Sequence, residues 1–165
     1  MNTDQQAIQT YLSFRLGEEV FAINVSKVLN ILEMKPITRV PKSPEYMKGV
    51  INLRGTVLPV VDLRLKFSLP ENEITVDTNI IVLSIDKEGE PVTLGILVDS
   101  VKEVLELKTD EIVPSPTIGT KYNSTFIEGL WPVNENFIMI LDIDKIFSVD
   151  EVINFQVYFS ENANE

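Results

Sequence analysis

This chain of 165 residues carries a net charge of −11 at pH 7 and contains neither cysteine nor histidine. Without cysteine it forms no disulfide or thiolate metal site, and without histidine it lacks the commonest general base and metal ligand. Its acidity argues against nucleic acid and anionic membrane surfaces as partners. It contains no apolar run of about 18 residues and no basic, apolar leader, so we expect a cytoplasmic protein without membrane insertion.

The first part of the chain has the pattern of short strands with brief helical segments. Apolar and polar residues alternate over residues 11–16, and residues 20–23 return after a glycine turn, which predicts a hairpin. The apolar residues within 25–32 have helical spacing and predict a short helix that ends before Pro36. Residues 62–67 predict another short helix with an aspartate at its cap.

Beyond a polar stretch at residues 69–77, which we interpret as a linker, the strand pattern begins again. Residues 101–107 have partly helical spacing, but they follow a strand closely, so we predict a strand there after a turn at residues 99–100. Residues 142–152 predict a C-terminal helix, and the polar tail 156–165 is expected to be flexible. The remaining strands are predicted at residues 79–85, 92–98, 126–131 and 137–141.

About ten short strands at close spacing predict a mainly β fold built from two small barrels. We expect the first barrel at residues 8–72 and the second at residues 73–155, with exchange of strands between them left open. Two barrels of about 75 residues would each be marginally stable alone. They should therefore pack on a shared hydrophobic core and form a single domain.

No catalytic constellation emerges from the residues. The paired carboxylates Asp142 and Asp144 are better explained as a solvated helix start, favoured by the helix dipole, than as a metal or acid–base site. The chain has no glycine-rich phosphate loop, and no serine has a histidine to activate it. Trp131 could be a ligand platform, but a core or inter-barrel aromatic is the stronger interpretation. We therefore expect no enzyme activity, metal or cofactor.

Two features favour recognition of a partner. Arg54 lies in the tight turn of a hairpin between apolar strands. It is either solvated or ion-paired, for example with Asp62, or it is a bidentate donor to a partner. The segment 112–122 places Val113 and Ile118 among prolines, which interrupt a regular strand ladder. Those two side chains either pack under a barrel or contact a partner.

The same hairpin carries a family resemblance. The chain has Ile-Thr-Arg-Val-Pro at residues 37–41, Gly-Val-Ile-Asn-Leu-Arg-Gly at 49–55 and Leu-Pro-Val-Val-Asp-Leu-Arg at 58–64. Together with Gly-Ile-Leu-Val-Asp at 95–99 and Ile-Leu-Asp-Ile-Asp at 140–144, these blocks resemble the CheW family of bacterial chemotaxis coupling proteins. The similarity covers nearly all of the chain.

The resemblance implies two five-stranded SH3-like barrels with short helices, and a non-enzymatic adaptor. Family members bridge the cytoplasmic tips of methyl-accepting chemoreceptors and the regulatory domain of the histidine kinase CheA. Carried over by motif, the implied receptor-binding positions are Val28, Asn30, Gly49, Asn52, Arg54, Val101 and Val104. The implied kinase-binding positions are Val25, Val113 and Ile118.

One position departs from the family pattern. Members often carry a glutamate two residues after the position of Val28, where this chain has Asn30, and the nearest acid here is Glu33. We therefore expect the local charge of the bound receptor to differ. The alternative function is a small-ligand-binding or inhibitor protein that uses an inter-barrel cleft around Trp131.

Overall fold

A computed structural model of the protein describes residues 7–70, 73–114, 126–148 and 151. Within these ranges the chain forms ten strands, one short α-helix and three 3-10 turns. The strands are β1 (Ile8–Leu16), β2 (Glu19–Asn24), β3 (Val28–Glu33), β4 (Met47–Leu53), β5 (Thr56–Asp62), β6 (Asn79–Lys87), β7 (Glu90–Val98), β8 (Ser100–Lys108), β9 (Ile127–Val133) and β10 (Asn136–Leu141). The helix is α1 (Leu63–Lys66).

The strands form two five-stranded sheets, each curled into a small barrel. The strand order is β8-β1-β2-β10-β9 in the first barrel and β3-β6-β7-β5-β4 in the second. Neighbouring strands are antiparallel except for β2 with β10 and β5 with β7, which are parallel. The prediction of a mainly β fold with two five-stranded barrels is confirmed.

The predicted boundary at residue 72 does not coincide with the division between the barrels. β8, β9 and β10 complete the first barrel, whereas β6 and β7 form the middle of the second. A two-stranded hairpin cannot bury its apolar faces alone. The β1–β2 hairpin therefore takes β8 on one side and β10 on the other, so the strands exchange between the two halves of the sequence.

Alternation along the central strands explains how two barrels share one core. In β6, Ile81 and Leu83 face the core between the barrels, and Ile80 and Val82 face the core of the second barrel. An apolar run of this kind is buried on both faces because successive side chains point to opposite sides of a sheet. The shared core includes Phe14, Leu16, Phe21, Ile23, Leu94, Ile96 and Val98, and the first-barrel core consists of Tyr11, Ala22, Leu107 and Ile140.

The predicted helix over residues 25–32 is wrong beyond its first turn. Val25–Lys27 form a 3-10 turn, and the Asn24 side chain caps it by accepting a hydrogen bond from the Ser26 N–H at 2.9 Å. From Val28 the chain continues as β3, which pairs with β6. The ladder satisfies the backbone of β3 even though Leu29 and Ile31 stay 57% and 42% exposed. Tertiary pairing therefore outweighs a helical spacing of only eight residues.

Of three further predicted segments, two agree with the structure. Residues 101–107 form a strand, as predicted, within β8, and α1 begins at the predicted cap Asp62, which accepts a hydrogen bond from the Arg64 N–H at 2.9 Å. Of the predicted C-terminal helix, Ile143–Lys145 is a 3-10 turn capped by Asp142. Residues 146–148 form a turn and a bend and are not helical, so the prediction of one continuous helix is wrong over this part. Residues 149, 150 and 152 and the tail 156–165 lie outside the described residues.

A buried arginine joins the two barrels. Arg64 is 2% exposed. Its Nε and Nη2 donate to the two carboxylate oxygens of Asp62 at 3.0 and 2.9 Å, and its Nη1 donates to Asp99 at 2.7 Å. The second oxygen of Asp99 accepts a hydrogen bond from the Gly17 N–H at 2.6 Å. Since Asp62 ends β5, Asp99 connects β7 to β8 and Gly17 lies in the β1–β2 turn, one side chain links both barrels.

We expect Arg64→Met to destabilise the protein by about 3–5 kcal/mol, because the buried carboxylate of Asp62 and the partly buried one of Asp99 would lose the guanidinium that binds both. Chemical denaturation measures this loss as a change in the free energy of unfolding. The exposed Arg39 provides the control, and Arg39→Met should change stability by less than about 0.5 kcal/mol. Equal effects of the two substitutions would contradict the structural role of Arg64.

A second charged cluster attaches residue 151 to the barrels. Lys66 of α1 forms an ion pair with Glu151, and its Nζ lies 4.6 Å from the ring centre of Tyr46 and 5.3 Å from that of Phe147. Burial by itself would raise the pKa of Glu151. Hydrogen bonds from Lys66, the Ser148 N–H at 3.0 Å and the Tyr46 hydroxyl, together with the positive charge of Lys66, outweigh the effect of burial and lower the pKa of Glu151 to about 2.

This pKa predicts a loss of stability in acid. The folded value of about 2 lies below the ordinary value of 4.5, so the contribution of Glu151 is present above pH 4.5 and is lost as the pH falls toward 2. Because the ion pair is partly solvated, we expect Glu151→Gln to cost about 1–2 kcal/mol at pH 7. Urea denaturation at pH 7 and pH 3 tests this, with exposed Glu111→Gln as the control. A deficit that does not shrink in acid would contradict the prediction.

Candidate functional site

The predicted receptor-binding positions all lie on edge strands of the two barrels or in the turn beside one. β3 and β4 are the outermost strands of the second sheet, and β8 is outermost in the first. Edge strands have one side without a ladder partner, so they are the strands that a partner can reach. Val28 and Asn30 lie on β3, Gly49 and Asn52 on β4, Arg54 in the β4–β5 turn, and Val101 and Val104 on β8.

Arg54 is held in a rigid two-residue turn. Arg54 and Gly55 both have positive φ, 55° and 83°, which is the pattern of a type I′ hairpin turn. The Asn52 side chain accepts a hydrogen bond from the Gly55 N–H at 2.7 Å and stabilises the turn. Arg54 itself is exposed. The turn therefore fixes the backbone of Arg54 at the edge of the second barrel and leaves its guanidinium group exposed to solvent.

The alternative in which Arg54 pairs with Asp62 is wrong. Asp62 is buried, bound by Arg64 at 2.9 Å, and lies 3.8 Å from the Lys48 ammonium. Among the described residues, none of the ion pairs includes Arg54. Arg54 is thus a solvated cation in a strongly acidic chain, available to an acceptor group on a partner.

Gly49 acts through the backbone. It is buried with φ of 149°, and a Cβ built on it would lie 2.2 Å from the Thr38 carbonyl oxygen. This close approach lets Thr38 and Val50 exchange two hydrogen bonds of 2.8 Å, which join the segment before β4 to that strand. A larger residue at position 49 would displace that segment, so a substitution there affects the fold of the hairpin's barrel.

Three of the valines among the predicted sites border the shared core. Val25, Val28 and Val101 are partly buried and pack against that core, the first two before and at the start of the second barrel's β3 and the third from β8. Val104, opposite Leu12 in the β1–β8 ladder, is 59% exposed. The structure therefore brings valines from both barrels to the margin of one core, and it leaves Val104 exposed on the edge strand β8.

The structure gives Asn30 a local role. Asn30 is exposed on β3, and its Oδ1 accepts a hydrogen bond from the Ile31 N–H at 2.8 Å. A glutamate at this position would add a negative charge beside the apolar margin, and this chain lacks that charge. Glu33 lies at the far end of the same strand, opposite Asn79.

Of the two predicted loop contacts, only Val113 falls within the described residues. Its N–H and C=O exchange hydrogen bonds with Leu130 of β9 at 2.7 and 2.8 Å, and its side chain leaves the residue 44% exposed. Gly129 permits this contact, because a Cβ there would lie 2.4 Å from Ile112 Cγ2. The backbone of Val113 is therefore fixed while its side chain is accessible. Ile118 lies outside the described residues.

The carboxylates considered as catalytic or metal-binding groups have structural roles. Asp142 caps the 3-10 turn that contains Asp144. Asp144 forms a 2.7 Å ion pair with Lys27 and accepts a hydrogen bond from the Asp86 N–H at 2.8 Å. Within the described ranges no group of three or more histidine, cysteine, aspartate or glutamate side chains is arranged to hold a metal ion.

Trp131 is a core aromatic of the first barrel. It is partly buried and packs against the first-barrel core, with Ile138 opposite it in the β9–β10 ladder. The core interpretation is therefore confirmed, but the location between the barrels is wrong. Trp131 therefore does not line a cleft between the barrels, as the ligand-binding alternative requires. No helix in the described part of the chain is long and apolar enough to cross a membrane.

Sequence reasoning missed the importance of Arg64 and Lys66. Both follow the Asp62 cap by a few residues, and the sequence shows them only as part of a motif or a short helix. A usable signal was present, since Arg64 is a cation between Leu63 and Leu65 just after a buried apolar strand. Such a charge needs a buried counter-ion or an exposed helix face, and the sequence does not decide between them.

The comparisons with known proteins agree on one family. A family model described as a CheW-like domain matches residues 10–151. The chemotaxis protein CheW of Klebsiella aerogenes is 35% identical over 144 residues, which cover 87% of this chain and 84% of that protein. A probable chemotaxis protein CheW of Rhizobium etli is 34% identical, with 88% and 92% covered. The crystal structure of scaffolding protein TtCheW from Thermoanaerobacter tengcongensis matches with a TM-score of 0.75 at 30% identity, over 88% of this chain and 96% of that one. This chain belongs to the CheW-like domain family.

Proposed function

We propose that this protein is a non-enzymatic adaptor that couples transmembrane chemoreceptors to the histidine kinase CheA. The observation that carries the proposal is the exposed Arg54, held in a type I′ turn within the family's Asn-Leu-Arg-Gly hairpin. Relatives named chemotaxis protein CheW and a structural neighbour described as a scaffolding protein support it. We propose a cytoplasmic location at receptor arrays for the same reason.

The receptor surface in this proposal combines one cation with an apolar margin. The planar guanidinium of Arg54 can donate two hydrogen bonds to a carboxylate or to backbone oxygens of the receptor tip. Val28, Val101 and Val104 supply apolar area that becomes buried when the tip binds. Asn52 stabilises the turn, and Gly49 allows the Thr38 backbone to approach β4 and bond to Val50.

The kinase contacts in this proposal lie next to strands of the first barrel. Val113 is joined to the edge strand β9 by two backbone hydrogen bonds, and Val25 lies in the 3-10 turn after β2. Both side chains are partly accessible. Ile118 is retained as a kinase contact on the resemblance alone.

Binding assays with isolated partners test the function as a whole. We expect the protein to bind both a receptor-tip fragment and the regulatory domain of the kinase, and to hold all three in one complex on size-exclusion chromatography. Failure to bind either partner would contradict the adaptor function. A thermal-shift screen covers the ligand-binding alternative, since a ligand at a hundred times its Kd adds about 2.7 kcal/mol of stability.

Truncation of Arg54 should weaken receptor binding without affecting the fold. We expect Arg54→Ala to lower receptor affinity by about 2 kcal/mol and to change stability by less than about 1 kcal/mol. Isothermal titration with a receptor-tip fragment measures the first quantity, and a thermal melt measures the second. Lys42→Ala is a matched control, because Lys42 is also an exposed cation at positive φ. Equal affinities of the two variants would reject the role of Arg54.

A charge at Val113 should weaken kinase binding. Val113→Asp introduces a carboxylate at a half-exposed valine whose backbone bonds to Leu130 remain possible, so the fold should persist. We expect a loss of at least about 1–2 kcal/mol in affinity for the kinase regulatory domain. Val76→Asp, at a valine that is 99% exposed on the second barrel, should have no such effect. A Val113→Asp variant that fails to fold would show that Val113 packs as part of the core.

A further inference from the structure

The first barrel carries an acidic ridge with a pocket on each side. Glu18 and Glu19, at the β1–β2 turn, line both pockets, which have volumes of about 490 and 530 Å³. Both glutamates are exposed. The ridge is distinct from the Arg54 turn, which belongs to the second barrel, and no role was assigned to it from the sequence.

The larger pocket exists because two parallel strands diverge. β2 and β10 pair only through Phe21 with Met139 and Ala22 with Ile140, so no ladder joins the preceding parts of the two strands. The gap is lined by the apolar residues Val20, Leu130, Phe137 and Met139. Phe137 is 50% exposed, which is unusual for a large aromatic side chain that is not in contact with a partner.

The smaller pocket is also partly apolar. Leu16, Leu69 and Pro70 line it beside the ridge. Arg15 contributes the one cation in either lining, and its Nη2 donates a hydrogen bond to the Gly17 carbonyl within its own turn at 3.2 Å. The ridge thus lies between two pockets that each combine polar and apolar residues.

The charges around the pockets are mainly negative. Glu18, Glu19 and Glu135 are exposed, and none of them takes part in an ion pair within the described part of the chain. The two pocket linings together contain three carboxylates and one arginine, which already donates a hydrogen bond. A ligand that fits this surface must therefore bring positive charge to the ridge and apolar groups to the pockets.

We propose that the ridge and its two pockets form a docking surface for a basic amphipathic protein segment. Lysine or arginine side chains of the segment pair with Glu18 and Glu19, and a large apolar side chain enters the pocket on each side. The proposal does not rest on the adaptor function. The aromatic Phe137 supplies the anchor and the carboxylates supply charge selectivity.

Charge identifies this occupant over others that the protein itself could provide. A second copy carries the same net charge of −11 and is repelled. Residues 152–165 of the chain contain two glutamates and no lysine or arginine, so they offer no cation to the ridge. Anionic lipid headgroups are repelled by the same carboxylates.

Fluorescence anisotropy with the full chain tests the proposal. The probe is a short fluorescein-labelled synthetic peptide with Phe-Arg-Arg-Leu at its centre, flanked by glycine and serine. We expect it to bind the protein, and we expect a peptide with glutamates in place of both arginines not to bind. The double substitution Glu18→Gln with Glu19→Gln, and separately Phe137→Ser, should each weaken binding about tenfold.

The β6–β7 turn of the second barrel offers a matched control. Glu88 and Glu90 are exposed acids at a tight hairpin turn, as Glu18 and Glu19 are. Glu88→Gln with Glu90→Gln should leave peptide affinity unchanged, and so should Arg54→Ala. Because Arg54 belongs to the proposed receptor contact and not to the ridge, its variant distinguishes failure of this proposal from failure of the adaptor function.

Several results would overturn the proposal. One is equal binding by the wild type and the Glu18–Glu19 variant, which would show unspecific attraction to an acidic protein. Another is absence of binding at low ionic strength, where charge attraction is strongest. A third is a dimer in sedimentation that Phe137→Ser dissociates, which would identify a second copy as the occupant. If Phe137→Ser lowers the melting temperature, the peptide affinity of the Glu18→Gln, Glu19→Gln variant alone is the test.

Discussion

The ion network of Arg64 is the constraint on which the two-barrel arrangement depends. A buried guanidinium is tolerated only when its donors and its charge are satisfied, and Asp62 at the end of β5 and Asp99 between β7 and β8 do this. Asp99 lies where the chain leaves the second barrel for the first, and it also accepts a hydrogen bond from Gly17. The network therefore sets the crossing between the barrels and the position of the β1–β2 turn, which carries the acidic ridge.

Strand exchange explains why the candidate receptor positions come from distant parts of the sequence. The N-terminal hairpin pairs with β8 along its outer side, and this places Val101 at the margin of the same core that Val28 borders from the second barrel. Two separate barrels built from consecutive halves would not bring these valines to one core. The surface for the proposed receptor contact is thus a consequence of the way the barrels share their strands.

The sequence predicted features that depend on local patterns and missed those that depend on distant partners. The Arg54 hairpin, the Asp62 cap and the strand at β8 follow from turn residues and periodicity, and all three are present. The segment from Val28 had helical spacing but forms a strand, because β6 offers it a ladder that spacing alone does not reveal. Among the implied site residues, the family motif located Arg54, but no local pattern shows that Arg64 is buried.

Arg54 and Arg64 lie in one motif and show how position in the fold assigns opposite roles to the same residue type. Arg54 follows a strand end and occupies a two-residue turn, where its side chain stays solvated and its charge is open to a partner. Arg64 follows a strand end too, but it lies in the first turn of α1, where its side chain is buried and bonds to Asp99. Because Asp62 and Asp99 neutralise its charge, Arg64 stabilises the fold and is not available to a partner. Reduced partner binding after substitution of Arg64 would therefore report lost stability, whereas the same result at Arg54 would report a lost contact.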